Sequence, residues 1–158
     1  SSMGVNVIAL DTNQQRLNRA KSFGAESTLN PLKINNVVDA IKDLTNGLGA
    51  HSSIDASSSS EARSQSIKCL RTWGKACFVG EGGNVDIDVS NDLLRRQITL
   101  IGSWTFSKHG QYVCSEYIAE KKLKVDELFT HEWKLEQAKE AYELFDKQSD
   151  GKGVIYPS

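Results

Sequence analysis

Val5-Asn6-Val7-Ile8-Ala9-Leu10-Asp11 is a short apolar run with β-branched residues, closed by an acid. Such a run suits a strand of a parallel sheet, buried on both faces, better than the alternating pattern of a half-exposed strand. The period then changes. Asn13 supplies an N-cap, Leu17, Ala20 and Phe23 recur on one helical face, and Gly24 stands where the helix stops. Ser27-Leu29 reads as a short strand closed by Asn30-Pro31. Ile34, Val37/Val38, Ile41 and Leu44 then repeat at helical spacing. Ser53-Ala56 is a weaker strand, and Ser59 or Ser60 caps a helix through Ala62, Ile67 and Leu70. Lys75-Gly80 and Thr99-Phe106 read as a third and a fourth buried strand.

Strands alternating with helices at intervals of roughly 25 to 35 residues describe βαβ units and a parallel sheet. The last fifty or so residues differ. A helix over Tyr112-Glu120 leads to the extended Phe129-Trp133, then to an amphipathic helix bearing Leu135, Ala138, Ala141/Tyr142 and Phe145. Gly151 and Gly153 flank a terminal strand, Val154-Tyr156. The chain has 158 residues, 39% hydrophobic and 25% charged, which is the composition of a globular domain. Nineteen basic and twenty acidic residues give a net charge of −1. That balance argues against a nucleic-acid footprint and against a polybasic membrane surface. No apolar run reaches the ~18 residues of a spanning helix. Ser1-Ser2-Met3-Gly4 shows no basic n-region followed by an apolar h-region, so no signal peptide is expected in this sequence. Three scattered cysteines (Cys69, Cys77, Cys114) make no CxxC pair, and they suit a reducing, cytoplasmic compartment.

Asp11 carries the first chemical signal. An acid ending a strand of a βαβ unit can accept hydrogen bonds from both hydroxyls of a ribose and repel a 2′-phosphate. It can equally serve only to start the helix behind it. Arg16, five residues on, covers the adenosine side or is a solvated helix residue. Gly47-Leu48-Gly49 follows a helix and precedes a strand, the reverse of the dinucleotide fingerprint, so these glycines read as a helix stop. Gly80-Glu81-Gly82-Gly83 follows a strand without opening a helix, and reads as a loop at the carboxyl edge of the sheet. His51, His109 and His131 have no partner at metal-ligand spacing, and Cys77 reads as a small core residue. Ser57-Ser60 lacks the flanking glycines of a nucleophile elbow.

Taken together, these tracts resemble the medium-chain, zinc-dependent alcohol dehydrogenase family, over nearly the whole chain but only the family's C-terminal half. Ser2 to Asp11 resembles the end of the first helix of the nucleotide domain followed by its second strand. Arg16-Leu17 and Ala20-Lys21-Ser22-Phe23-Gly24-Ala25 resemble an "R-L…A-K-x-x-G-A" run, and Gly74 to Gly80 a "G-G-x-x-x-x-V-G" strand. Gly102-Ser103-Trp104-Thr105-Phe106 resembles the last strand of the sheet. Thr130-His131 through Ala138-Ala141-Tyr142, then Gly151-Lys152-Gly153-Val154-Ile155, are similar to the closing segment. The tracts look closest to the polyol, threonine and secondary-alcohol dehydrogenases.

The resemblance implies an α/β fold: an incomplete Rossmann-like, doubly wound parallel sheet lacking its first strand and glycine loop. A C-terminal helix and strand would belong to the absent catalytic domain. Residues 1–122 would be a partial NAD-binding domain and 123–158 the return segment. Asp11 would hold the adenosine ribose with Arg16 beside it, while Thr12 and Ser57 would line the adenine pocket. Backbone groups of Val79, Ser103 and Thr105 would hold the nicotinamide carboxamide, and Lys152 would lie near the phosphates. His51 and Ser52-Ser53 depart from the family's usual Asp and apolar residues, and Ser58 replaces a usual glycine. The glycine loop and the catalytic zinc ligands would precede Ser1, so NAD binding is expected to be weak and zinc to belong to the parent enzyme only. The implied activity is hydride transfer between an alcohol or polyol and NAD, with this chain inactive by itself. The implied assembly is a homodimer or larger, through the Ile98-Ile101 edge. The rival functions are a non-catalytic dinucleotide-binding or scaffold module and a methyltransferase-type Rossmann domain.

Overall fold

The computed structural model describes residues 1–147 and 151–157. Its strands are β1 (Ile8–Leu10), β2 (Ser27–Leu29), β3 (Ala50–Asp55), β4 (Leu70–Phe78), β5 (Thr99–Gly102), β6 (Phe129–Lys134) and β7 (Lys152–Tyr156). The α-helices are α1 (Gln14–Ser22), α2 (Val37–Leu44), α3 (Ser60–Lys68), α4 (Lys108–Lys121) and α5 (Ala138–Asp146). Strands and helices alternate, and the α/β class read from the sequence holds. The chain divides into two compact units, Ser1–Thr28 with Phe106–Ser158, and Leu29–Thr105.

In the first unit β1 neighbours β2 in a two-stranded sheet. Asn13 caps α1 by accepting from the N–H groups of Gln15 (2.8 Å) and Arg16 (3.4 Å). Gly24, with φ +92°, ends the helix in a conformation that only glycine adopts cheaply. Leu17 is the buried residue of its face. β6 and β7 pair in parallel, with α5 lying between them in the chain as a βαβ crossover demands. Trp133, Phe145 and His131 pack ring on ring: His131 stacks on Trp133 at 5.4 Å, and Phe145 meets both edge-on at 5.7 Å.

The second unit is a three-stranded parallel sheet, β3-β4-β5. Its core is Ile67, Leu70 and Ala76, with Phe78, Val85, Ile87 and Leu93 packed against it. Full burial of Ile67 stabilises by about 1.5–3 kcal/mol. Helix α2 buries Val37 and Ile41 and is capped by Asn36, which accepts from Val38 N–H at 2.9 Å. Burial was expected of the Lys75-Gly80 and Thr99-Phe106 strands, but all four residues of β5 are exposed. Alternation puts Ala76 and Phe78 on the core side. Ile54, Cys77 and Ile101, in register with one another, lie on the other face. There Ile54 is 74% exposed and Ile101 41%.

Several boundaries shift for local reasons. β1 begins at Ile8 rather than Val5, and the last strand of the sheet stops at Gly102 rather than Phe106. Thr105 has φ +52°, which no strand tolerates. The first turn of the Leu135 helix is 3-10, with α-helix from Ala138. A π-helix over Val89–Leu94 was not foreseen.

β4 starts five residues before the Lys75 read from the sequence, because it contains a large bulge. Pairing runs from Ala50 opposite Leu70 to Ser52 opposite Lys75, so β3 advances two residues while β4 advances five. Trp73 sits in that bulge at φ +64° with 67% of its surface exposed. A left-handed backbone costs a side-chain-bearing residue about 1–2 kcal/mol, and glycine's extra chain entropy returns about 0.5–1 of that. Trp73→Gly should therefore stabilise the fold by about 0.5–1 kcal/mol, seen as a rise in Tm of about 1–4 °C. A fall in Tm would show that the indole makes contacts worth more than the strain.

Candidate functional site

Parallel strands end together, and the register fixes where. Asp55, Phe78 and Gly102 stand in one line as the final residues of β3, β4 and β5. Ser57, Val79 and Ser103 therefore emerge within two residues of one carboxyl edge, with Thr105 two residues further on. Ligands of open α/β sheets lie at this edge. Val79 N–H donates to the Asp55 carbonyl (2.9 Å) and Ser103 N–H to the Phe78 carbonyl (3.0 Å). Those two amides are spent inside the sheet, so what Val79 and Ser103 can offer a ligand is carbonyl oxygen.

A buried ion pair, not singled out in the sequence, organises this edge. Asp55 and Arg63 are 5% and 7% exposed. Asp55 Oδ1 accepts from Ser57 Oγ (2.6 Å) and Ser57 N–H (3.2 Å). Its Oδ2 accepts from Ser58 N–H (3.3 Å) and from Arg63 Nε (3.4 Å). Arg63 Nη2 reaches on to the Gly80 carbonyl (2.6 Å), and its guanidinium lies 5.4 Å from the Phe78 ring centre, within cation–π range. Burial alone would raise the carboxyl's pKa, but the hydrogen bonds from Ser57, Ser58 and Arg63 together outweigh it and hold the group below its ordinary value. One carboxylate thus ties together the loop after β3, the first turns of α3 and the turn after β4. Ser58 at φ +65° and Gly83 at φ +69° meet across this edge. The sequence held only a faint signal for Arg63: it lies four residues before Ile67, on the same helical face, but nothing there named Asp55 as its partner.

The other predicted residues lie in the first unit. Asp11 directly follows β1. Its Oδ1 accepts from Asn13 N–H (2.8 Å), and its Oδ2 lies 3.6 Å from Arg16 Nη1. Both side chains are partly exposed, 28% and 37%, so this pair is worth only about 0–1 kcal/mol. Each carboxylate oxygen has two lone pairs, so Asp11 keeps acceptor capacity for a ligand. Thr12 is exposed beside it. Lys152 opens β7 opposite Phe129 with an exposed side chain, and its carbonyl accepts from Thr130 Oγ1 at 3.2 Å. The structure therefore brings together Asp11 with Arg16 in one unit, and Ser57, Val79 and Ser103 in the other.

Among the described residues, no three His, Cys, Asp or Glu side chains cluster as a metal site requires. The described residues therefore offer no donor set that fits a zinc ion. Cys69 is buried, Cys77 half-buried and Cys114 exposed, all three free. Burial pushes the Cys69 thiol up to about 11, which leaves it protonated and inert. Among the described residues no helix is long and apolar enough to cross a membrane.

A three-stranded parallel sheet with a helix on one face and its loops gathered at the carboxyl edge is nucleotide-domain architecture. The chain belongs to the zinc-binding dehydrogenase family, whose profile matches residues 1–121. It is 32% identical over 149 residues to the uncharacterized zinc-type alcohol dehydrogenase-like protein YphC of Escherichia coli K12. That match covers 94% of this chain and 42% of YphC. It is 29% identical to an L-threonine 3-dehydrogenase of Pyrococcus furiosus, over 94% of this chain and 43% of that enzyme. The crystal structure of an alcohol dehydrogenase from Thermotoga maritima superposes with a TM-score of 0.87 at 27% identity. It covers 98% of this chain and 44% of that one. The chain thus spans less than half the length of these relatives, and what it matches is the family's C-terminal, nucleotide-binding half.

Proposed function

We propose that this chain supplies the NAD-binding side of an alcohol or polyol dehydrogenase, the cofactor accepting hydride from the alcohol carbon. The observation that carries this reading is Asp11: a partly exposed, loosely paired carboxylate at the end of a strand, where a ribose diol needs an acceptor. In this reading Arg16 flanks the ribose, and Thr12 and Ser57 border the adenine. The Val79 and Ser103 carbonyls accept from the carboxamide NH2, Thr105 N–H donates to its oxygen, and Lys152 faces the phosphates. The family match over residues 1–121 supports placing the cofactor-binding domain at 1–122 and a return segment at 123–158. The free cysteines support a cytoplasmic setting. Catalysis of alcohol oxidation is expected to be absent from the isolated chain and is checked by following NADH absorbance with added alcohol.

Titration with NAD and NADP, followed by calorimetry, tests the reading. NAD should bind more tightly than NADP, because Asp11 repels a 2′-phosphate. Hydrogen bonds to a charged group are worth about 1.5–3 kcal/mol, so Asp11→Ala should weaken NAD about tenfold or more and erase the preference over NADP. Unchanged NAD affinity in Asp11→Ala would sink the assignment.

Assembly forms part of the same proposal. β5 ends its sheet and pairs with β4 alone among the described strands, and Leu100 and Ile101 are 40% and 41% exposed. Such an edge recruits another strand. A homodimer through Ile98–Ile101 is expected, and sedimentation equilibrium showing only monomer at micromolar concentration would refute it.

A further inference from the structure

At the opposite end of the three-stranded sheet from Asp55 lies a cleft of about 610 Å³ into which Lys42, Lys68, Arg71 and Arg96 all face. They come from four separate places: α2, the last residue of α3, the bulge of β4, and the turn before β5. Asp92 is the one carboxylate in the lining, and it accepts from the Asp88 N–H. Asp88 itself lies near Lys68. Among the described residues, no carboxylate lies within ion-pair distance of Lys42, Lys68, Arg71 or Arg96. The chain as a whole carries a charge of −1, so this concentration of cations runs against its average.

Arg96 is fixed in place by the protein. Its guanidinium donates to the carbonyls of Ile67 (3.4 Å), Lys68 (3.3 Å) and Leu70. The Ile67 and Lys68 carbonyls sit at the C-terminal end of α3, where a cation is favoured by the helix dipole, and Leu70 opens β4. Arg96 is thus structural, while Lys42, Lys68 and Arg71 are long side chains lining one concavity, outnumbering Asp92 there and making no ion pair among the described residues. Cations converging from several directions suit a tetrahedral, multiply charged oxyanion better than a planar carboxylate, whose acceptors lie in one plane.

We propose that this cleft is a binding site for the phosphate group of a small phosphorylated molecule, separate from Ser57, Val79 and Ser103 at the other end of the same strands. None of its lining residues is among those assigned to NAD, so the site stands or falls independently of that function.

The test is a titration of the 158-residue chain with inorganic pyrophosphate, which carries no nucleoside for Asp11 to recognise. Amide chemical shifts are followed by NMR. Saturable shifts are expected at Lys42, Lys68, Arg71 and Thr72, weakening as salt screens the charges. Exposed single charges contribute modestly, so Lys42→Ala, Lys68→Ala and Arg71→Ala should each weaken binding about two- to fivefold. The triple variant, checked for fold by circular dichroism, should lose saturation. Arg96 is left intact because its removal would uncap α3. Shifts confined to Asp11, Val79 and Ser103, no saturable shift, or full binding by the folded triple variant would each overturn the proposal.

Discussion

Arg63→Ala should lower the unfolding free energy by about 3–5 kcal/mol, because it leaves the Asp55 carboxylate buried without its counter-charge. That is a large share of the roughly 5–15 kcal/mol holding a domain together. The loss has three parts in the structure: the pair to Asp55, the hydrogen bond to the Gly80 carbonyl, and the guanidinium over Phe78. Arg63→Lys keeps the charge but has no planar fork to reach Asp55 and Gly80 together, so it should fall between the two. Denaturant unfolding monitored by circular dichroism measures the series. A loss under about 1 kcal/mol would mean that Asp55 is satisfied by Ser57 and Ser58 alone, as an exposed pair would be.

The pH dependence of that difference has a definite sign. The folded pKa of Asp55 lies below the ordinary value of 3.8. Its stabilising contribution is therefore complete above that value and is lost as pH falls through the folded pKa. The gap between the native chain and Arg63→Ala should be widest near neutral pH. It should shrink in strong acid, where the carboxyl is protonated in both and no longer needs a counter-charge. A gap that stays constant down to acid unfolding would assign the effect of Arg63 to packing against Phe78 instead.

This pair marks where the sequence stops being readable. The helices were legible because their signals are local: Asn13 and Ser59 cap α1 and α3, Gly24 ends α1, and Val37, Ile41 and Leu44 repeat at helical spacing in α2. The order of strands was legible because β-branched runs recur between them. The shape of β4 was not, since its bulge places a tryptophan at positive φ, where local propensity asks for glycine. The exposure of β5, Leu100 and Ile101 included, was missed for a related reason. An apolar run states that a strand wants cover, not that it has it. At the site, Asp11 was visible as an acid closing a strand. Asp55 closes a strand in the same way, yet it is turned inward by an arginine eight residues later, and only the fold brings those two together.

Gly83→Ala should be the most damaging of the small substitutions at this edge, and its neighbour provides the control. Gly82 and Gly83 have similar backbones, φ +80° and +69°. Either alanine would therefore incur the left-handed penalty of about 1–2 kcal/mol. Their surroundings differ. A Cβ on Gly82 meets nothing within 4 Å, whereas one on Gly83 would lie 2.2 Å from the Ser58 carbonyl oxygen. That oxygen is backbone, held by the Ser57–Ser58 turn on Asp55, so it cannot swing aside as a side chain would. The added strain of an overpacked site is about 1–3 kcal/mol. Gly83→Ala is thus expected to cost about 2–5 kcal/mol in all, and Gly82→Ala only the left-handed term. Relief of the clash would part the loop after β3 from the loop after β4. In the NAD reading, the first carries Ser57 and the second follows Val79, so Gly83→Ala should also weaken NAD, while Gly82→Ala leaves its affinity unchanged. Equal Tm values for the two variants would show that the loops are not in contact at Ser58. Equal NAD affinities with unequal Tm values would show that the contact serves the fold and not the cofactor.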